Sequence, residues 1–386
     1  MIYLDNAATS FPKPETVYRG MESFVRASGA NPGRSAHRLA VEAEVMIDET
    51  RRLLARLFGA RRPERVVFGY NATDALNMAI KGVVRPGDHV ITSVLEHNSV
   101  NRPLNQLERD GLITLTRLPV TAAHLIDPDA VAAAWSANTR LVAVAHASNV
   151  TGTIQPIREL GRIARERDGL LLVDAAQSAG AVPIDVEQDR IDLLAFTGHK
   201  GLLGPTGTGG LVVGERADVR PWRLGGTGGD SSNPLQPCEL PYRLEGGTPN
   251  VFGIAGLREG VRILLEEGVE SILAHERGLL ASFLTEIRQP ESFSFYGAAA
   301  AFLEHGGEGR VGLLSFTVAG FSPAELAALL DQHFDIAVRS GLDCAPYAHQ
   351  HLGTFPDGAV RVSVGRLTSR EDVLQAAAAL NEITDG

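Results

Sequence analysis

Between residues 65 and 213 the sequence alternates short apolar runs with helix-like or turn segments. The apolar runs predict seven strands, at 65–68, 89–94, 112–118, 141–145, 170–173, 191–196 and 211–213. Helices are expected between them, for example over 157–167. Strands that alternate with helices indicate a mostly parallel sheet covered by helices on both faces. We therefore predict an α/β fold, with functional groups just beyond the carboxyl ends of the strands.

The remainder of the chain predicts helices first and a mixed α+β region last. Further helices are expected from Glu15 onward and over 39–58, 75–81, 257–265, 271–287, 323–333 and 371–383, with strands over 312–318 and 360–364. The Gly- and Pro-rich stretch 224–250 predicts an irregular crossover, which is uncommon inside a compact domain unless it is functional or reaches a partner. We predict a large domain over 15–250 and a smaller α+β domain over 251–386 that also includes residues 1–14.

Composition excludes several classes of function. The 386 residues carry 36 Lys and Arg against 46 Asp and Glu, a formal net charge of -10, which argues against a nucleic-acid or anionic-membrane surface. No apolar run approaches the roughly 20 residues of a membrane span. Two cysteines, Cys238 and Cys344, are too few for a disulfide framework, and the start of the sequence lacks the features of a secretory signal. We expect a cytoplasmic protein with a small substrate.

Lys200 lies in a small-residue turn, Thr197-Gly198-His199-Lys200-Gly201, directly after the strand predicted over 191–196. The only other lysines are Lys13 and Lys81, so arginine supplies most of the positive charge. An amine that must lose its proton and attack a carbonyl cannot be replaced by a guanidinium. Lys200 is therefore interpreted either as a Schiff-base lysine or as an ordinary lysine in a surface turn.

Asp174 follows the strand predicted over 170–173, at the edge where ligands bind in open α/β sheets. A carboxylate there can keep a pyridine nitrogen protonated, as pyridoxal phosphate requires. A helix cap is the alternative interpretation. Asp174 and Lys200 at the ends of successive strands favour the cofactor site over two separate caps.

Other polar groups follow predicted strands. Strand 65–68 leads through a small-residue turn to Ala72 and Thr73 at a helix start, a suitable seat for a phosphate, although Thr73 could also be a plain cap. His97 and His146 follow two further strands. A histidine there could stack on an aromatic cofactor or titrate near neutrality, or it could be an ordinary loop residue.

Cys344 lies in a loop punctuated by Gly and Pro, predicted over 338–349. Nearby Arg339, His349 and His351 would favour its thiolate, whereas a free cysteine is otherwise commonly a small buried apolar residue. A metal site built from Cys344 and the two histidines is disfavoured because their spacing matches no standard zinc pattern. No metal is predicted.

Several motifs in register resemble one family of enzymes. They are Tyr3-Leu4-Asp5-Asn6-Ala7-Ala8-Thr9, Glu96-His97, Ser148-Asn149 with Gly152, Asp174 with Gln177, Thr197 with His199-Lys200, Gly247-Thr248-Pro249-Asn250, and Arg339-Ser340-Gly341 with Cys344-Ala345. Over nearly its full length the chain resembles the class-V pyridoxal-phosphate-dependent aminotransferases, in particular the cysteine desulfurases and selenocysteine lyases. The resemblance implies fold type I of these enzymes, with a seven-stranded-type, mostly parallel sheet and a smaller α+β domain.

The resemblance also implies a role for each matching residue. Lys200 would attach the cofactor, Asp174 would pair with the pyridine nitrogen, Gln177 would bind the ring oxygen and His97 would stack on the ring. The cofactor would further contact Asn149, and its phosphate would be held by Ala72, Thr73, Thr197, His199 and, from the second subunit of a homodimer with a shared active site, Thr248. Substrate would be bound by Arg361, Asn149, Asn6 and His37.

The reaction implied is removal of sulfur from L-cysteine, giving L-alanine and a persulfide on Cys344 that a protein acceptor can take. Two departures concern the substrate pocket: Asp343 replaces the histidine common before the cysteine, and 366–369 replaces an aromatic-aromatic-Asn-Thr stretch. A carboxylate beside a thiol disfavours its thiolate. The alternatives are a C–S or C–Se lyase, an aminotransferase or an epimerase without persulfide chemistry, or a non-catalytic module that binds the cofactor or a partner protein.

Overall fold

The computed structural model describes residues 1–33, 37–228, 232–297 and 299–385. Its strands are β1 (Ile2–Tyr3), β2 (Val66–Gly69), β3 (Asp88–Ser93), β4 (Ile113–Leu118), β5 (Thr139–Ala145), β6 (Leu170–Asp174), β7 (Leu193–Thr197), β8 (Gly209–Val213), β9 (Phe293–Tyr296), β10 (Leu313–Val318), β11 (Ile336–Ala337), β12 (Arg339–Gly341) and β13 (Ala359–Ser363).

The α-helices are α1 (Glu15–Ser28), α2 (Arg38–Leu57), α3 (Ala72–Val83), α4 (Asn98–Arg109), α5 (Pro128–Ala133), α6 (Ile157–Glu166), α7 (Val251–Glu267), α8 (Val269–Thr285), α9 (Ala300–Glu304), α10 (Pro323–Phe334), α11 (Pro346–Leu352) and α12 (Arg370–Asp385). Among the described residues, none of these helices is both long and apolar enough to cross a lipid bilayer.

The seven predicted strands form one seven-stranded sheet in the order β2-β8-β7-β6-β5-β3-β4. Every pair from β7 to β4 is parallel, and only β8 runs antiparallel to its neighbours. The α/β class and the mostly parallel sheet are confirmed. The parallel arrangement brings the carboxyl ends of β5, β6 and β7 to the same edge of the sheet.

Burial on both faces explains why the strands are continuously apolar. In β6, Leu171 and Val173 belong to the hydrophobic core on one face, whereas Leu170 and Leu172 belong to the core on the other. Successive side chains of a strand point to opposite faces, so a strand covered on both sides has no polar face. Residues of α2, α6 and α7 cover the first face, and residues of α3 and α4 cover the second.

A second region holds an antiparallel sheet in the order β12-β13-β10-β9. Its core includes Phe316 and Val360 from the sheet and buried side chains of α8, α10 and α12. The amino terminus joins it, because β1 pairs with β11 in parallel. The domain boundary near residue 250 stays a prediction. The side chains of α7 beyond it pack in the same core as those of α2.

Some predicted segments differ from the observed elements. Helix α4 is absent from the prediction, because its helical segment contains Pro103 and mostly polar residues. The loop predicted over 338–349 instead contains β12 and the first half of α11, with the turn confined to 342–345. These short elements depend on contacts with distant strands, which local sequence patterns do not reveal.

Candidate active site

A cavity of about 370 Å³ lies at the carboxyl edge of the large sheet, facing β13 and the turn before α11. It is lined by Ala7, Ala8, Asn71, Ala72, Thr73, His97, Ser99, Ala145, Ala147, Asn149, Asp174, Ala176, Gln177, Thr197, His199, Lys200, Arg339, Asp343, Cys344 and Arg361. The cavity therefore brings together most of the candidate residues named from the sequence.

Lys200 projects into this cavity from the turn that follows β7. Within the described residues, its Nζ atom makes no hydrogen bond. Burial and the nearby Arg361 guanidinium lower the pKa of Lys200 to about 8, and Asp174, Asp5 and Asp343 oppose that shift only in part. An amine with this pKa is available in its neutral, nucleophilic form near neutral pH.

Asp174 is the last residue of β6 and is buried. One carboxylate oxygen accepts the Ala176 N–H at 2.9 Å, which orients the side chain. Burial raises the pKa of Asp174, and the hydrogen bond and Lys200 offset this only partly. A cationic N–H group in the cavity would stabilise the ionised form of this buried carboxylate.

His97 caps the amino terminus of α4. Its Nδ1 atom accepts the Ser99 N–H at 3.0 Å, so the ring proton of the neutral form is on Nε2. Burial, Lys200 and nearby arginines lower the pKa of His97 to about 4, so the ring is neutral at physiological pH. A neutral ring fixed by its cap is suited to stacking on a flat ligand.

The start of α3 presents unused hydrogen-bond donors to the cavity. Asn71 caps the helix by accepting the Asp74 N–H, and the Ala75 N–H bonds to the Asn71 carbonyl. The N–H groups of Ala72 and Thr73 come before that first turn is closed, as at every helix amino terminus. Together with the helix dipole they favour an anion.

Two further buried polar atoms of residues that line the cavity support the same conclusion. Within the described part of the chain, Thr197 Oγ1 and His199 Nδ1 have no hydrogen-bond partner. Buried polar atoms are nearly always satisfied by protein, water or ligand. Together with the donors at the start of α3, this set fits a phosphate ester.

Arg361 of β13 is buried and held in place by three groups. Nη2 contacts Asp5 Oδ1 at 3.1 Å, and Nη1 donates to the Asn149 carbonyl at 3.0 Å. Nη1 also lies 3.2 Å from Asp343 Oδ1. Asn149 in turn donates its side-chain N–H to the Asp343 carbonyl at 2.6 Å. A fixed guanidinium in such a pocket is suited to binding a carboxylate.

Cys344 is exposed at the cavity wall, in the turn between β12 and α11. Asp343 and Cys344 both adopt left-handed backbone conformations, with φ of 47° and 58°. The Cys344 carbonyl accepts the Asn98 N–H at 2.7 Å, which ties this turn to the start of α4. The thiol is thus free and held beside the groups that line the cavity.

The alternative of a metal site receives no structural support. His349 is buried, and its Nδ1 pairs with Thr354 Oγ1 at 2.7 Å. Across the described residues, no group of three or more His, Cys, Asp or Glu side chains is placed to hold a metal ion. His146, the second candidate ring, is buried and does not line the cavity.

Within a single chain, three of the residues predicted to bind cofactor or substrate do not line this cavity. Thr248 lines a separate cavity of about 690 Å³, together with glycines of the 226–228 and 247 region. His37 caps α2 by accepting the Ala40 N–H. The side-chain amide of Asn6 is used by backbone groups of Tyr3, Ser363 and Phe11. For these three the predicted roles stay predictions.

Sequence reasoning missed three residues that organise the site. Ser99 Oγ lies 2.6 Å from Thr73 Oγ1 and so links His97 to the start of α3. Asp5 pairs with Arg361, and Lys13 donates to the His199 carbonyl. Ser99 has a readable signal, because it follows His97 at a helix start. The other two depend on long-range contacts that leave no local signal.

Comparison with known proteins gives a consistent result over the full length. The family model described as aminotransferase class-V matches residues 2–375. The chain is 33% identical to a probable cysteine desulfurase of Methanothermobacter thermautotrophicus, over 99% of this chain and 94% of that protein. It is 30% identical to a cysteine desulfurase of Yersinia pestis, over 99% and 93%. The apo structure of a cysteine desulfurase from Thermococcus onnurineus superimposes with a TM-score of 0.91 at 33% identity, covering 100% of this chain and 95% of that one.

Proposed function

The chain belongs to the class-V aminotransferase family, and we propose that it is a pyridoxal-phosphate-dependent cysteine desulfurase. In this reaction L-cysteine loses its sulfur and becomes L-alanine, and the sulfur is transferred to Cys344 as a persulfide. The observation that carries the proposal is that an exposed thiol, Cys344, lines the same cavity as Lys200 and Asp174.

The residues of the cavity fit pyridoxal phosphate at each of its functional groups. The unpartnered Thr197 and His199 atoms and the start of α3 would hold the phosphate. Asp174 would pair with the ring nitrogen, and Gln177, oriented by the Ala7 carbonyl at 3.1 Å, would bind the ring oxygen. When bound, this cofactor stabilises the negative charge that remains on a substrate carbon after loss of a proton.

Four side chains that line the cavity would each have a role. Lys200 would hold the cofactor through its neutral amine and would move the substrate proton. Neutral His97 would cover the ring. Arg361 and Asn149 orient the substrate carboxylate. Each of these roles is a proposal supported by the shared cavity.

The sulfur transfer balances without an added oxidant. The Cys344 thiolate attacks the substrate sulfur, a sulfur–sulfur bond forms and the carbon–sulfur bond of the substrate breaks. The electron pair of that bond stays with the substrate fragment, which takes up a proton and leaves as alanine. L-cysteine and one enzyme thiol thus give L-alanine and one enzyme persulfide, which a protein acceptor can reduce.

We also propose that the enzyme is a homodimer in which the second subunit supplies Thr248. The irregular segment that contains Thr248 borders a cavity of about 690 Å³, away from the Lys200 cavity of its own chain. A segment of this kind suits contact with another subunit. A cytoplasmic location, expected from the cysteine content, remains part of the proposal.

The test is incubation of the cofactor-loaded protein with L-cysteine, followed by measurement of alanine and mass spectrometry of the Cys344 peptide. We expect equal yields of alanine and persulfide in the first turnover. Cys344→Ala should abolish the persulfide and most alanine formation, whereas Cys238→Ala, the other exposed cysteine, should change neither. Release of sulfide, pyruvate and ammonia, without alanine and without any persulfide on Cys344, would identify a C–S lyase instead.

A further inference from the structure

The side chain of Asp343 occupies the position in the cavity that faces Arg361. Its Oδ1 atom lies 3.2 Å from Arg361 Nη1 and 3.5 Å from Arg339 Nε. The side chain is only 1% exposed. Asp343 is therefore, with Asp5, one of two carboxylates of the protein that contact this guanidinium.

These charges are close, but they do not form a satisfied hydrogen-bond network. Among the described residues, neither oxygen of Asp343 accepts a hydrogen bond, and Arg361 Nε also has no partner. A buried carboxylate that accepts no hydrogen bond has lost its contacts with water without replacing them. We therefore expect the position of the Asp343 side chain to change when a ligand binds.

The arginines and the carboxylates of this cluster balance one another in charge. Arg339 and Arg361 supply two positive charges, and Asp343 and Asp5 supply two negative charges. A substrate carboxylate placed against Arg361 would add a negative charge beside Asp343. Two carboxylates at such a distance in a buried site cannot both stay ionised without a large cost.

We propose that Asp343 determines how tightly the pocket binds carboxylates, by taking up one proton when the substrate carboxylate displaces it from Arg361. The proposal rests on the proposed function, because it takes Arg361 as the seat of the substrate carboxylate. The protonated carboxyl group of Asp343 can then donate its O–H to the incoming carboxylate. One proton from solvent is bound for each ligand, as the O–H group of Asp343, and no other covalent bond forms or breaks.

The groups around Asp343 shift its pKa toward neutral pH. Burial and Asp5 raise the pKa of Asp343, the positive groups lower it, and the result is about 6. The charged groups that face it come from every neighbouring element: Arg361 from β13, Arg339 from β12, Asp5 from the amino-terminal segment and Lys200 from the turn after β7. His349 of α11 is neutral, because burial lowers its pKa to about 4.

The sign of the pH dependence follows from this balance. Below about pH 6 Asp343 already carries its proton, and carboxylate binding should not depend on pH. Above pH 6 a proton must be taken up, so the dissociation constant should rise about tenfold per pH unit.

The test uses propionate, which carries a carboxylate but no amine to react with the cofactor and no thiol. Its binding to the cofactor-loaded protein is measured by calorimetry at pH 6, 7 and 8, in two buffers of different ionisation enthalpy to count protons. For the unaltered protein we expect the tenfold weakening per unit above pH 6 and uptake of about one proton at pH 8.

Asp343→Asn tests the residue directly, because asparagine tolerates the left-handed backbone found there. We expect propionate to bind at least tenfold tighter at pH 8 than to the unaltered protein, with no pH dependence and no proton uptake. KM for L-cysteine at pH 8 should fall more than kcat changes. Asp357→Asn removes an exposed carboxylate before β13 and should behave like the unaltered protein.

The proposal is wrong if the unaltered protein binds propionate without proton uptake, or if Asp343→Asn keeps the same affinity and pH slope. Failure of both proteins to bind propionate overturns it as well, because the seat at Arg361 would then not accept a carboxylate. These outcomes are independent of the persulfide measurement: a desulfurase that forms persulfide on Cys344 while showing none of these shifts would retain the function and lose the inference.

Discussion

The Nζ atom of Lys13 lies 2.8 Å from the carbonyl oxygen of His199, the residue immediately before Lys200. The same carbonyl oxygen accepts hydrogen bonds from Ser10 N at 2.9 Å and from Thr9 Oγ1 at 3.0 Å. Ser10 Oγ donates to the Lys200 carbonyl at 3.0 Å. The amino-terminal segment therefore fixes the backbone on which the Lys200 amine is mounted.

We predict that Lys13→Met loosens this turn. Loss of this donor, which also donates to Ser10 Oγ at 2.7 Å, should lower the free energy of unfolding by about 1 to 2 kcal/mol, since the other donors to the His199 carbonyl remain. Cofactor affinity should fall several-fold, because the amine is held less firmly. Chemical denaturation and titration of the cofactor-free protein with pyridoxal phosphate measure the two effects. Lys81→Met, at an exposed lysine, should leave both quantities unchanged.

Thr197→Val should separate stability from cofactor binding. Because Thr197 Oγ1 is buried without a partner in the described structure, its removal should leave the cofactor-free protein equally or slightly more stable. Affinity for pyridoxal phosphate should fall about tenfold, the expected loss for one hydrogen bond to a charged phosphate.

The matched control for that change is Thr92→Val in β3, whose hydroxyl donates to the Ala143 carbonyl at 2.8 Å within the core. It should lower the free energy of unfolding by about 1 kcal/mol and leave cofactor affinity unchanged. A loss of stability in Thr197→Val equal to that in Thr92→Val would show that the Thr197 hydroxyl is structural.

The lowered pKa of Lys200 predicts its chemical reactivity. In the cofactor-free protein, acylation of the amine by an anhydride should rise about tenfold per pH unit and level off above about pH 8, because only the neutral amine reacts. Peptide mass spectrometry can follow each lysine separately, since the chain has only three. Exposed Lys81 serves as the internal reference. A plateau for Lys200 only above pH 10 would contradict the predicted shift.

Local sequence patterns could predict the large sheet and the chemistry at its edge. Strands such as β6 are buried on both faces, so their apolar runs are long and unambiguous, and parallel pairing places Asp174 and the Lys200 turn at one edge. Predicting these relationships requires only the direction and the order of the strands. Both follow from the alternation of strands and helices along the chain.

Contacts between distant segments could not be predicted in the same way. Asp5 and Arg361 are separated by 356 residues, and nothing near either position indicates the pair. The direction of the Asp343 side chain depends on two successive left-handed residues, Asp343 and Cys344, neither of which is glycine. Such conformations are rare outside glycine, asparagine and aspartate, and they persist only where surrounding contacts impose them.

A last prediction concerns Glu276, a buried carboxyl group of α8 that does not line the cavity shared by Lys200 and Cys344. It borders a second, small cavity of about 50 Å³, which Lys200 also lines, and packs so tightly on Gly312 that a Cβ atom there would lie 2.6 Å from Oε2. Burial raises the pKa of Glu276 from its ordinary value of 4.5 to about 8. The folded protein therefore binds one more proton than the unfolded chain between these two pH values.

Because the folded state binds that extra proton, the contribution of Glu276 to stability is fully present below about pH 4.5 and is lost as the pH rises to about 8. Glu276→Gln cannot ionise, so its free energy of unfolding relative to the unaltered protein should increase through this window, reaching about 1 to 3 kcal/mol at pH 9. Denaturant unfolding at pH 5, 7 and 9 measures the difference. Glu382→Gln, at an exposed position of α12, should show no such trend. A difference that stays constant with pH would mean that Glu276 is ionised in the folded protein throughout, and that its burial is compensated by solvent within the small cavity.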